Sequence, residues 1–136
     1  MKHSKSSLFL MELIIALLFF SLASTVCIRL FVKAHSLSAQ TVDQNYAVNY
    51  AQNMAEAFLG CDGDLQALQA LMPDSTLAGD DAVLSLEQNG YRAELVCSGL
   101  PQPGSTLSAD IRVCRLDSPD APLYTLHVDL HIPRVR

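Results

Sequence analysis

The sequence predicts an α+β fold, with one long N-terminal helix packed on a four-stranded antiparallel sheet. Three observations predict it. No Gly or Pro occurs between Leu8 and Leu59, so no strong helix breaker interrupts that span. From residue 82 onward, apolar and polar residues alternate in runs of strand length. Asn89-Gly90 is a strong signal for a two-residue hairpin turn between two of those runs. At 136 residues the chain has room for one modest domain.

The helix has two halves of different character. Half of all residues are hydrophobic, and the excess is concentrated at the start. Between Leu8 and Ile28 the only charge is Glu12, and apolar residues continue through Leu30, Phe31 and Val32 around Arg29. Crossing a bilayer core takes about 20 mostly apolar helical residues. Lys2, His3 and Lys5 precede the run and favour a cytoplasmic N-terminus, with the rest of the chain outside. Arg29 and Lys33 on the far side pull against that bias. A cleaved secretory signal is the competing reading, with Ser21-Leu22-Ala23 or Ala23-Ser24-Thr25 as loose cleavage sites. Against it, the apolar run continues past both.

In the outer half, Leu37, Thr41, Gln44, Val48, Ala51, Ala55 and Phe58 recur at spacings of four and three, with Ala47 and Met54 beside them. That is one stripe requiring cover. From Leu8 to Leu59 a continuous helix reaches roughly 78 Å. Gly60 offers a left-handed terminus. A short second helix is expected over Leu65–Leu71, capped by Asp64 and stopped before Pro73.

The strands follow. With Asn89-Gly90 as the turn, Ala82–Gln88 pairs with Tyr91–Ser98, setting Leu84 against Leu95 and Leu86 against Ala93. A loop over Gly99–Gly104 leads to Thr106–Leu116, where Leu107, Ala109, Ile111 and Val113 share one face. After a turn at Asp117–Pro122, Leu123–Ile132 sets Tyr124, Leu126, Val128, Leu130 and Ile132 on one face. The product is a meander with one apolar side, which needs a cover as much as the helix needs a bed.

Residues 34–136 contain five Arg, no Lys and thirteen Asp and Glu, a formal charge of −8. That balance disfavours nucleic-acid binding by this part of the chain. No phosphate loop, nucleophile–base pair or organised acid–base pair stands out, so no enzymatic activity, cofactor or small-molecule substrate is expected. His127-x-Asp129-x-His131 invites a metal reading, but strand residues four apart stand about 13 Å from each other, too far for two histidines to share one ion. Asp62-Gly63-Asp64 and Asp80-Asp81 resemble fragments of calcium loops without a full ligand series, and turn or cap roles are expected. Cys27 lies in the apolar segment as a packing residue. Cys61, Cys97 and Cys114 are an odd number. In the expected register Cys97 faces inward and Cys114 the polar side, which makes Cys61 the better partner for Cys97, against three free thiols.

The segment Ser7-Leu8-Phe9-Leu10-Met11-Glu12-Leu13-Ile14 resembles the processing site of type IV pilins and of type II secretion pseudopilins. In that family a basic leader ends in a small residue, usually Gly; cleavage exposes an apolar residue, often Phe, and Glu stands fifth in the mature chain. Here Lys2 and Lys5 provide the basic leader, Ser7 precedes the cut, Leu8 becomes the first mature residue and Glu12 falls fifth. Ser7 and Leu8 replace the commoner pair, and the proline near mature position 22 is missing; both departures point to a divergent or minor member. The family architecture, a half-exposed helix on an antiparallel sheet, matches the elements derived above.

The resemblance implies a basic leader over 1–7, a transmembrane and assembly helix over 8–33, and an extracytoplasmic pilin-like α+β domain over 34–136. It implies processing between Ser7 and Leu8 by the prepilin peptidase, with N-methylation of Leu8. Its implied partners are other pilin-like subunits and the cell membrane, crossed once. Glu12 is then the assembly residue, pairing with the N-terminal amine of a neighbouring subunit. A carboxylate in hydrocarbon costs roughly 2.5–3.5 kcal/mol on insertion scales, which favours a partner; the plainer reading has Glu12 reaching water near the cytoplasmic interface. The implied function is a structural one, in a bacterial filament of the type IV pilus or type II secretion kind at the membrane or cell surface. The alternative is a monomeric, single-pass anchored domain that binds an extracellular partner.

Overall fold

The computed structural model describes residues 3–79, 82–99 and 101–134; Lys2 and the Asp80-Asp81 pair lie outside them. The order of elements is α1 (His3–Gly60), α2 (Leu65–Leu71), β1 (Ser75–Ala78), β2 (Val83–Gln88), β3 (Tyr91–Ser98), β4 (Thr106–Arg115) and β5 (Ser118–His131). The chain divides into two compact units, Met1–Thr41 and Val42–Arg136. The described part of the first is helix alone. The second is an α+β domain containing the end of α1, α2 and the sheet.

The sheet is antiparallel and has five strands in the order β1-β2-β3-β4-β5, one more than the alternation predicts. The extra strand is β1, whose four residues are too few to display a period. It pairs Ser75 with Leu86 and Leu77 with Leu84. Ser75 is buried there, its hydroxyl donating to the Met72 carbonyl. Asn89 and Gly90 both take positive φ, 53° and 83°, as a primed two-residue turn requires. The pairing it sets is the expected one, Leu84 with Leu95 and Leu86 with Ala93.

The β4–β5 hairpin is tighter than expected. β4 stops at Arg115 and β5 begins at Ser118, with register shifts on both sides of Cys114. Such irregularities absorb extra residues and re-aim side chains. Cys114 stands opposite Arg92 in the β3–β4 register, on the polar side as expected, yet it is buried there, and its thiol donates to the Arg92 carbonyl at 3.6 Å.

The core lies between α1 and the sheet. Ala47, Tyr50, Ala51, Met54, Ala55 and Phe58 of the helix meet Leu84, Leu86, Ala93, Leu95, Leu107, Ala109, Ile111 and Val113. Full burial of an aliphatic or Phe side chain contributes about 1.5–3 kcal/mol. The buried helical face includes Ala47 and Tyr50, whereas Leu37, Thr41 and Gln44 of the expected stripe are exposed. Leu126, Val128 and Leu130 face inward but are only half-buried, because β5 is the edge of the sheet.

The end of α1 also differs in detail. Gly60 stays helical, and the left-handed residues are Asp62 (φ 51°) and Gly63 (φ 79°). The Gly63 amide donates to the Phe58 carbonyl at 3.1 Å and the Asp62 amide to Leu59 at 3.2 Å, a Schellman closure two residues later than Gly60 alone predicts. α2 spans the expected residues, and Asp64 caps it by accepting from the amides of Gln66 (3.0 Å) and Ala67 (3.4 Å).

Candidate functional site

Every residue of α1 from Lys5 to Val42 is exposed except the half-exposed Ser24. Phe31, Phe20 and Phe9 stand 78, 72 and 67% exposed, among Leu, Ile and Val residues that are open on every side of the helix. A surface of that size and composition is not stable in water and marks a region that contacts lipid or protein. Among the described residues, one helix is long and apolar enough to cross a membrane. Its backbone is satisfied internally, a condition hydrocarbon imposes. Two of its hydroxyls are satisfied within the helix, Ser21 donating to the Leu17 carbonyl and Thr25 to that of Ser21, both at 2.9 Å.

Ser7, Leu8 and Glu12 all lie in α1 and are exposed. Leu8 and Glu12 are four residues apart, so they share one face, with Met11 and Ile15 beside them. Glu12 has no ion-pair partner among the described residues. A carboxylate so placed on an apolar helix is available to a cation from another molecule.

The remaining sites singled out in the sequence lie in the second unit, apart from Cys27, which is exposed in the apolar segment. Cys61 and Cys97 are separate, half-buried thiols. Burial pushes the Cys97 thiol up, and burial followed by the Glu94 charge does the same at Cys114; neither is primed as a thiolate. His127 uses both ring nitrogens, Nδ1 on Asp110 at 2.6 Å and Nε2 on Asp129 at 3.2 Å. Asp110 and Asp129 lie on opposite sides of that ring, an arrangement suited to holding an imidazolium. Asp62 and Asp64 serve the end of α1 and the cap of α2.

One cluster is illegible in the sequence. Asp43 accepts a hydrogen bond from the Tyr91 hydroxyl at 2.6 Å and pairs with Arg115 at 3.0 Å. Arg115 also reaches Asp117 at 3.0 Å. The Tyr46 and Tyr91 rings stack with centroids 4.3 Å apart, and the Asn89 side-chain amide donates to the Tyr46 hydroxyl at 3.1 Å. Its helix and hairpin partners lie 43 to 72 residues apart, and only the β2–β3 turn residues carry any local signal.

Comparison with known protein families, with curated proteins and with solved structures finds no match to this chain.

Proposed function

We propose that the chain is a minor structural subunit of a filament of the type IV pilus or type II secretion kind, assembling through the apolar part of α1. The observation carrying this reading is the exposed apolar helix with Glu12 as its one carboxylate, in a chain whose outer part is a helix on an antiparallel meander. A monomer buries none of that helix. Packing side by side with similar helices covers it, and a buried ion pair between Glu12 and a neighbour's amine sets the axial register. The basic residues before Leu8 and the acidic domain after residue 33 then lie on opposite sides of the membrane. In this reading the prepilin peptidase cuts between Ser7 and Leu8.

The mature N-terminus, measured by mass spectrometry on protein from its native location, tests the proposal. A chain starting at Leu8, with or without a methyl group on its amine, supports it. Recovery of residues 1–7 still attached in the assembled protein overturns the processing step.

A further inference from the structure

Within the α+β domain, α1 is held to the sheet in two chemically different ways. From Ala51 to Phe58 the contact is apolar and fully buried, with Met54 and Phe58 at 1 and 0% exposure. The turn before it is held at the surface by polar and aromatic groups from two hairpin turns. Tyr91 and Asn89 belong to the β2–β3 hairpin, and Arg115 and Asp117 to the β4–β5 hairpin. Four of these contacts converge on Asp43 and Tyr46, which lie three apart on one helical face.

We propose that Asp43, Tyr46, Tyr91 and Arg115 form a conformational clamp that keeps this turn of α1 seated on the domain and allows it to lift locally while the core beyond Ala51 stays closed. The Asp43 carboxylate is the centre of the clamp. It accepts from Tyr91 and pairs with Arg115, so it joins both hairpins to one helical position. Asp117 takes Nε and Nη2 of the same guanidinium and leaves Nη1 beside Asp43. The Tyr46–Tyr91 stack closes over the gap between helix and turn. Next to Tyr46 in the same turn, Ala47 has 0% exposure and belongs to the core cluster. Lifting this turn exposes Ala47 and leaves Met54, seven residues or about two turns further along α1, covered. Local opening of such units, at less than the cost of global unfolding, is a general property of folded domains.

The test uses the full chain in detergent micelles, carrying Ala47→Cys or Met54→Cys, with thiol labelling followed by peptide mapping to separate the probe from native cysteines. Adding Asp43→Asn is expected to speed labelling at position 47 about 10-fold and to leave position 54 unchanged, a change of roughly 1.4 kcal/mol in the opening equilibrium. Tyr91→Phe in the same background should give a smaller acceleration. Equal labelling at position 47 with and without Asp43→Asn overturns the clamp, and so does equal acceleration at 54, which means global destabilisation. Where the cysteine variants fail to fold, the Tyr46–Tyr91 ring contact is followed by NMR cross-relaxation in the native-cysteine chain. Its loss in Asp43→Asn, with the Phe58 contacts intact, supports the clamp, and its persistence refutes it.

Discussion

Nδ1 of His127 lies 2.6 Å from Oδ1 of Asp110, its partner across the β4–β5 ladder. That hydrogen bond raises the His127 pKa above its ordinary 6.5, and the charge of Asp129 adds to the effect. Asp129 is itself held below the usual carboxylate range, first by the Ser108 hydroxyl and then by His127. A raised histidine pKa stabilises the fold fully below about 6.5, and the contribution is lost as pH rises through the folded value. An NMR titration should place the His127 midpoint above 6.5 and move it down in Asp110→Asn. A native midpoint at or below 6.5 contradicts the pairing.

Tyr50 offers a test of core chemistry. Its ring is buried, and its hydroxyl has no hydrogen-bond partner among the described residues. Desolvation pushes its pKa up to about 12. An unsatisfied buried hydroxyl costs about 1–3 kcal/mol. Tyr50→Phe should therefore leave thermal stability unchanged or raise it, whereas Tyr50→Ala should lower it by about 3–5 kcal/mol, as large aromatic truncations do. A clear loss in Tyr50→Phe indicates an ordered water on that hydroxyl.

Gly63 sits in a position that disfavours any side chain. Its φ of 79° is left-handed, and a Cβ there runs into Cδ2 of Leu107 and lies 3.2 Å from Cδ2 of Leu130. Gly63→Ala should cost about 1–3 kcal/mol in chemical denaturation. Gly60→Ala is the control, because Gly60 is helical and a Cβ meets nothing within 4 Å; there the exchange should stabilise by about 0.4–1 kcal/mol.

Much of this architecture is legible because short-range chemistry dictates it. Asn89-Gly90 sets the turn, and a period of two carries the register from Leu84–Leu95 outward. Asp64 and Pro73 bound α2 in the same local way. What escapes is long-range or aperiodic. β1 is too short to show a pattern, and its Ser75 is buried by a local hydrogen bond. Cys114 keeps the polar-side position that alternation foresees, and only its burial beside the Arg92 carbonyl escapes the pattern. Within the α+β domain the buried face of α1 is decided by where the sheet lies, so Gln44 stays exposed despite its spacing. The Glu12 motif stands out because a lone charge interrupts an apolar run, whereas Asp43, Tyr91 and Arg115 look like ordinary surface residues until the chain folds.

The cysteines give a redox prediction. With Cys61 and Cys97 both packed against the core and Cys114 on the Arg92 side of the sheet, Cys61 and Cys97 remain the pair expected to bond if the domain folds in an oxidising compartment. Peptide mapping without reductant should recover the Cys61 and Cys97 peptides joined, and the Cys114 peptide free. Full alkylation of both thiols in unreduced native protein refutes the pairing.

The most direct test of assembly through α1 is Glu12→Gln, read by crosslinking at matched membrane levels. For a monomeric anchor the change removes a charge from the apolar segment and leaves insertion unchanged or improved. For a filament subunit it leaves a neighbour's amine without its counter-charge, and breaking a buried pair costs about 3–5 kcal/mol. The proposed function predicts that Glu12→Gln inserts normally but loses crosslinking to itself and to neighbouring pilin-like proteins. Undiminished crosslinking in Glu12→Gln contradicts assembly through this residue.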